Sequence, residues 1–250
     1  MGERTGGAPF RPDELSGVLF VRHATTAAMR AACFPAGDED ADAASLARAA
    51  AVLAPPTGSW AAGAGVADVA VAGDSVAGDS VAGDSVAGAG AVAWVAPAAA
   101  ARQTAAAAGL VAGVVPALAE ADCGRWRGLP YEQVAREEPD ALARWLADPH
   151  AAPHGGESLA DLAARVASWL DSVCAQDEAV GVAPQRAPGR GGPKAVVVCD
   201  VGVIRAALGH ALGLEPSRTA RFDLAPLSVT ELTATRDGWR VAHVNRKVLF

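Results

Sequence analysis

The chain has 250 residues, with 21 Lys and Arg against 28 Asp and Glu, a net charge of −7 and 5% aromatic residues. That length fits one large domain or two small ones and buries a core without disulfide staples. The acidic balance excludes a nucleic-acid binder that works by neutralising phosphates and a polybasic membrane anchor. So few aromatics argue against a base-stacking platform. Residues 1–16 carry no apolar core of a secretory signal, and no run of 18 strongly apolar residues suggests a membrane span. Cys33, Cys123, Cys174 and Cys199 lie far apart without a CxxC pair, which predicts reduced thiols, no metal site and a cytoplasmic setting.

In chain order, residues 1–16 read as a flexible N-terminus. Gly17–Arg22 (GVLFVR) is a short apolar run and predicts a buried strand. Ala41–Ala54 has helical composition. Residues 71–90 repeat VAGDS, and a five-residue period gathers Val on no face of a helix or strand. The stretch 56–90 therefore reads as a low-complexity surface insertion. Ala91–Val95 predicts a second strand, Ala98–Ala108 a helix, and Leu110–Val115 a third strand. Tyr131–Asp148 predicts a helix broken near Pro139. Over Glu157–Asp171, Leu159, Leu162, Ala163, Val166 and Leu170 recur at three and four spacing, which predicts an amphipathic helix. Residues 176–194, rich in Pro, Gly and Arg, read as a flexible loop. Ala195–Cys199 (AVVVC) predicts a fourth buried strand and Val203–Leu214 a helix. Ser228–Ala234 and Trp239–Asn245 predict a final strand pair turned at Asp237-Gly238.

The alternation predicts one α/β domain over 17–250, a three-layer sandwich with a mainly parallel sheet flanked by helices. Ligands of such sheets bind beyond the carboxyl ends of the strands. There the sequence places Arg22-His23-Ala24-Thr25-Thr26, Ala96-Pro97, Glu120 and Asp200-Val201-Gly202. No glycine loop carries the Lys-Ser/Thr pair of a nucleotide-binding P-loop.

The strand delivering Arg-His in VLFVRHATT resembles the opening motif of the histidine phosphatase superfamily, the phosphoglycerate mutase-like group that includes α-ribazole phosphatases. In the same order come Arg102-Gln103-Thr104-Ala105, an acid segment Glu120 to Gly128, Gly155-Gly156-Glu157-Ser158, GVIRAAL at 202–208, and Leu224 to Ser228. The resemblance implies a phosphoglycerate mutase-like fold and phosphomonoester hydrolysis on a small phosphorylated metabolite, without cofactor or metal. It implies His23 as the nucleophile that becomes phosphohistidine, Glu120 as general acid and base, and Arg22 as a phosphate clamp. Thr25, Arg102, Gly202, Gly156 and Glu157 would line the phosphate or substrate. A phosphoryl transition state needs mainly positioning and positive charge, and a covalent relay splits one hard step into two.

Two departures stand against that pattern. Asp200 occupies the position of the family's second phosphate-binding His. Ala100 stands where a second Arg belongs, and Arg102 lies about 200° further around the helix. The readings left open are a phosphatase in which His154, Arg125 or Arg127 replaces the lost cations, a non-catalytic pseudophosphatase that binds or regulates, and altered chemistry in which His23 and Asp200 together hold a cation. Thr25 and Ser158 serve equally well as helix caps, and Trp126 reads as packing.

Overall fold

A computed structural model describes residues 17–53, 92–179, 195–235 and 238–247. Its strands are β1 (Gly17–Arg22), β2 (Val92–Val95), β3 (Gly113–Val114), β4 (Ala195–Cys199), β5 (Ser228–Thr235) and β6 (Gly238–Lys247). They form one sheet in the order β3-β2-β4-β1-β5-β6. The first four run parallel, and β5 and β6 are antiparallel. β4 is buried at all five residues, as its unbroken AVVVC requires of a central parallel strand.

The longer helices are α2 (Ala43–Leu53), α3 (Ala99–Ala107), α6 (Leu159–Ala179) and α7 (Val201–Leu212). Shorter ones are α1 (Ala27–Arg30), α4 (Tyr131–Glu137), α5 (Pro139–Ala147) and α8 (Pro216–Thr219). They flank the sheet in two packed sets, α2 with α3 and α6 with α7 and α8. From α6, Leu162, Val166, Trp169 and Leu170 enter the core, and Trp169 meets Phe20 and Trp94 edge-on at 6.4 and 5.4 Å. Each such side chain stabilises the fold by about 1.5–3 kcal/mol through burial. A smaller cluster is built on Phe34, Cys123, Trp126, Val134 and Leu142.

The helical break at Pro139 falls as expected, since Pro139 starts α5. The third strand is shorter than predicted. It keeps only Gly113 and Val114 on the sheet edge, where Val111 and Val114 face solvent while Leu110, Ala112 and Val115 pack partly buried against the core. α6 starts after Ser158, whose Oγ accepts from the Asp161 amide at 3.1 Å and donates to its carboxylate at 2.7 Å. It runs on to Ala179, past the start of the loop predicted over 176–194. The N-terminal segment, the repeat insertion and 180–194 lie outside the described residues. No described helix is long and apolar enough to cross a membrane.

Candidate active site

The register of the central strands builds the site. In the parallel pair β1–β4, Arg22 stands opposite Cys199, so His23 and Asp200 leave the sheet side by side. The His23 amide donates to the Cys199 carbonyl at 3.0 Å, extending the pairing one residue past the strand. Both side chains are buried, and His23 Nε2 lies 3.1 Å from Asp200 Oδ1.

The other ring nitrogen, Nδ1, lies 2.7 Å from the Ala24 carbonyl. A carbonyl only accepts, so Nδ1 carries a proton. One further proton then sits between Nε2 and Oδ1, on one partner or the other, because two facing lone pairs repel. The Ala24 backbone is itself anchored. Its amide donates to Thr104 Oγ1 at 2.9 Å, and that hydroxyl donates to the Ala100 carbonyl at 2.6 Å. Burial opposes a charge on the ring, but the hydrogen bond and charge of Asp200 outweigh it. His23 therefore keeps its proton above the ordinary imidazole range.

Glu120 follows a single 3-10 turn at Pro116–Leu118. Its Oε1 accepts from the Ala121 amide at 2.8 Å and its Oε2 from the Gly202 amide at 2.7 Å. Burial, and then the charge of Asp200, lift this carboxyl to about 7. Gly202 is what lets it dock. A Cβ at 202 would stand 1.9 Å from Glu120 Oε1.

Two guanidinium groups border the pair. Arg22 donates through Nη1 to the Leu224 carbonyl, while its buried Nε has no partner. Arg205 donates through Nε and Nη2 to the Phe222 carbonyl at 3.1 and 2.9 Å. Burial and then the charge of Arg205 lower Arg22 from its ordinary value. Asp200 Oδ2 is the other buried, unpartnered atom here. Asp200 is the N-cap residue of α7, yet its side chain makes no capping bond.

The remaining sequence-predicted residues are spread more widely. Arg102 is exposed on α3, about half a turn away from the face that carries buried Ala100 and Thr104. Thr25 is partly exposed, and its amide donates to Ser45 Oγ at 2.9 Å. The cap of α1 is the next residue, Thr26, which accepts from Met29 at 3.1 Å. Gly156 packs its Cα against the Asp122 carbonyl, where a Cβ would stand at 1.9 Å. Glu157 pairs with Arg165 through both carboxylate oxygens. Trp126 is fully buried.

The three cations offered as replacements are engaged elsewhere. Arg125 binds Glu138 and the Pro153 carbonyl, Arg127 binds the Ala36 carbonyl, and His154 is buried against Trp126. Arg205 was not singled out from the sequence, nor was Thr104. The available sign of Arg205 was its three-residue spacing from Gly202, which puts both on one face of α7. No group of three or more His, Cys, Asp or Glu side chains fit to hold a metal occurs among the described residues.

Several known proteins are similar to this chain. Bifunctional protein Rv2228c of Mycobacterium tuberculosis is 33% identical over 117 residues, 46% of this chain and 29% of its own length. Glucosyl-3-phosphoglycerate phosphatase of Mycobacterium tuberculosis is 38% identical over 93 residues, 37% of this chain and 39% of its own. The chain thus spans well under half the length of these curated relatives. Among solved structures, a native mycobacterial glucosyl-3-phosphoglycerate phosphatase superposes with a TM-score of 0.66 at 22% identity, covering 93% of this chain and 100% of that one. The α-ribazole phosphatase of Shigella flexneri gives 0.68 at 13% identity, covering 94% and 98%. These likenesses carry the phosphoglycerate mutase-like fold. A family model for the histidine phosphatase superfamily (branch 1) matches residues 79–247. That match takes in Glu120, Gly202 and the strands β2 to β6, and begins after β1 and His23. It covers more than half of the chain, which therefore belongs to the histidine phosphatase superfamily.

Proposed function

We propose that the chain hydrolyses phosphomonoesters through a phosphohistidine at His23, with Glu120 as general acid and then base, and that Asp200 holds turnover low. The observation that carries this reading is the 3.1 Å contact of Asp200 with Nε2. Nδ1 is committed to the Ala24 carbonyl, so Nε2 is the only nitrogen with a lone pair to give. In the first step the proton between Nε2 and Asp200 rests on Asp200, Nε2 bonds to phosphorus, the ester P–O bond breaks, and Glu120 gives its own proton to the leaving oxygen. In the second, Glu120 takes a proton from water as the water oxygen displaces Nε2, releasing inorganic phosphate. An acid poised near 7 suits both directions. Arg22, with its unpartnered Nε, and Arg205 supply the positive charge.

Asp200 opposes both steps. It occupies Nε2, and its charge repels a phosphate dianion. Two unit charges 4 Å apart interact by about 4 kcal/mol at an effective dielectric near 20, so a dianion meets about twice that before Arg22 offsets it. Its N-cap position provides a second resting place. An N-cap Asp accepts from the second or third helical amide. Glu120 already takes the Gly202 amide, while the Val203 amide has no hydrogen-bond partner among the described residues. Rotation of Asp200 onto Val203 would free Nε2.

The substrate class is a small phosphorylated metabolite, the class printed in the names of the phosphatase relatives. The acidic net charge and the free cysteines among the described residues fit a cytoplasmic setting without nucleic-acid or membrane partners. A second reading, a non-catalytic binding protein, draws on the same occupied Nε2. Asp200→His decides between them. It is expected to raise kcat/KM for p-nitrophenyl phosphate at least about tenfold, the equivalent of 1.4 kcal/mol. Equal turnover in both proteins would overturn the restraint by Asp200, and no turnover in either would overturn the hydrolase reading and leave the binding protein.

A further inference from the structure

We propose that Arg165, held by Glu157, is a positioning residue that sets the Glu120 carboxyl on the N-terminus of α7. Arg165 lies near the start of α6, partly buried, and four donor contacts of its guanidinium are used. Nε and Nη2 donate to the two oxygens of Glu157 at 3.0 and 2.7 Å. Nη1 donates to the carbonyls of Ala117 and Ala119 at 2.7 and 3.1 Å. The Ala119 carbonyl belongs to the peptide group that enters Glu120. The clamp therefore grips the chain immediately upstream of the acid.

Its other half grips downstream. The Glu157 amide donates to the Asp122 carbonyl at 2.8 Å, and Gly156 presses against that same carbonyl with no room for a Cβ. One ion pair thus brackets Glu120 from 117 to 122. The bracketed segment has little order of its own. It holds one 3-10 turn and a single fully buried anchor, Leu118. Only a planar guanidinium spans a carboxylate and two carbonyls at once. The carboxyl so placed faces Asp200 at the start of α7, His23 at the end of β1, and Arg205 and Arg22 beyond them.

The effect on turnover rests on the proposed role of Glu120, but the placement itself does not. It is tested in full-length protein by carboxyl 13C NMR of labelled Glu, with the Glu120 resonance assigned by its loss in Glu120→Gln. The variants are Glu157→Gln, which keeps shape, and Arg165→Lys, which keeps charge. In both, the Glu120 midpoint is expected to fall from about 7 by about one unit or more, a tenfold change in proton affinity, as the carboxyl moves toward water. In an Asp200→His background, kcat is expected to fall at least about tenfold with KM nearly unchanged. A midpoint unmoved in both variants while Tm falls would reduce the ion pair to a support for α6 and overturn the proposal, as would a wild-type Glu120 titrating at 4.5, its ordinary value. If no background turns over substrate, the phosphatase reading fails while the NMR midpoint still decides this one.

Discussion

Replacing Gly202 with Ala is expected to drive the Glu120 carboxyl out of the site while the protein stays folded. The added Cβ would stand 1.9 Å from Oε1, so one of the two must move. The carboxyl is the far end of a flexible side chain, whereas residue 202 lies in the first turn of a helix whose buried residues include Val203, Ile204, Ala206, Ala207 and Leu208. The side chain therefore yields. The loss to stability is the hydrogen bond from the Gly202 amide to a carboxylate, about 1.5–3 kcal/mol. The loss to chemistry is larger. A positioned general acid contributes about 10²–10⁴-fold, so Gly202→Ala in an Asp200→His background is expected to reduce kcat on p-nitrophenyl phosphate within that range. An unchanged circular dichroism spectrum and a cooperative unfolding transition, with Tm lowered only by about 2–4 °C for each kcal/mol of that loss, show that the fold survives. Retained turnover would mean that the acid is another group.

The pH dependence of stability carries the second large effect. Glu120 binds its proton more tightly in the folded chain than in the unfolded one, at about 7 against an ordinary 4.5. Between those values the native state holds more protons, so its stability falls as pH rises through the window and levels off above it. A shift of that size corresponds to about 2–3 kcal/mol once the partial exposure of the residue is allowed for. Urea unfolding of wild type against Glu120→Gln is expected to show the wild type losing ground by that amount between pH 5 and 8. His23 works with the same sign at higher pH. Its raised value means that the stability given by protonation with Asp200 is present below the ordinary imidazole range and is lost as pH rises through the folded value. A difference that stays flat with pH would show Glu120 to be an ordinary carboxylate, and a wild-type advantage that grows with pH would show its proton affinity to be lowered on folding.

Much of the fold was legible because the informative pattern is local. GVLFVR and AVVVC are continuous apolar runs, and both are central parallel strands. The three and four spacing in α6 points Leu162, Val166 and Leu170 into the core. The third strand misled because Val111 and Val114 are apolar yet exposed at the sheet edge. The position of Asp200 was equally legible, but its direction was not. An Asp before a helix ordinarily turns back onto the first amides. Here Glu120, 82 residues away, takes the Gly202 amide, and the β1–β4 register brings up His23, 177 residues away. Neither fact has a local trace. Glu157 read as a substrate residue because its neighbours match a loop motif. Its partner Arg165 sits eight residues on, across the cap of α6, and only the folded turn brings them together. Thr25 and Thr26 are adjacent hydroxyls, and the capping role fell to the second because Thr26 holds the extended backbone that a cap requires.

The central claim is that Asp200 restrains a competent nucleophile at His23. Its most direct measurement is the phosphoryl group trapped on His23 when wild type, Asp200→His and His23→Ala are quenched in alkali during turnover of a 32P-labelled phosphomonoester. The expected result is a trace of alkali-stable, acid-labile label on wild type, at least about tenfold more on Asp200→His, and none on His23→Ala. Equal label on wild type and Asp200→His would contradict the restraint, and label that survives in His23→Ala would contradict the nucleophile.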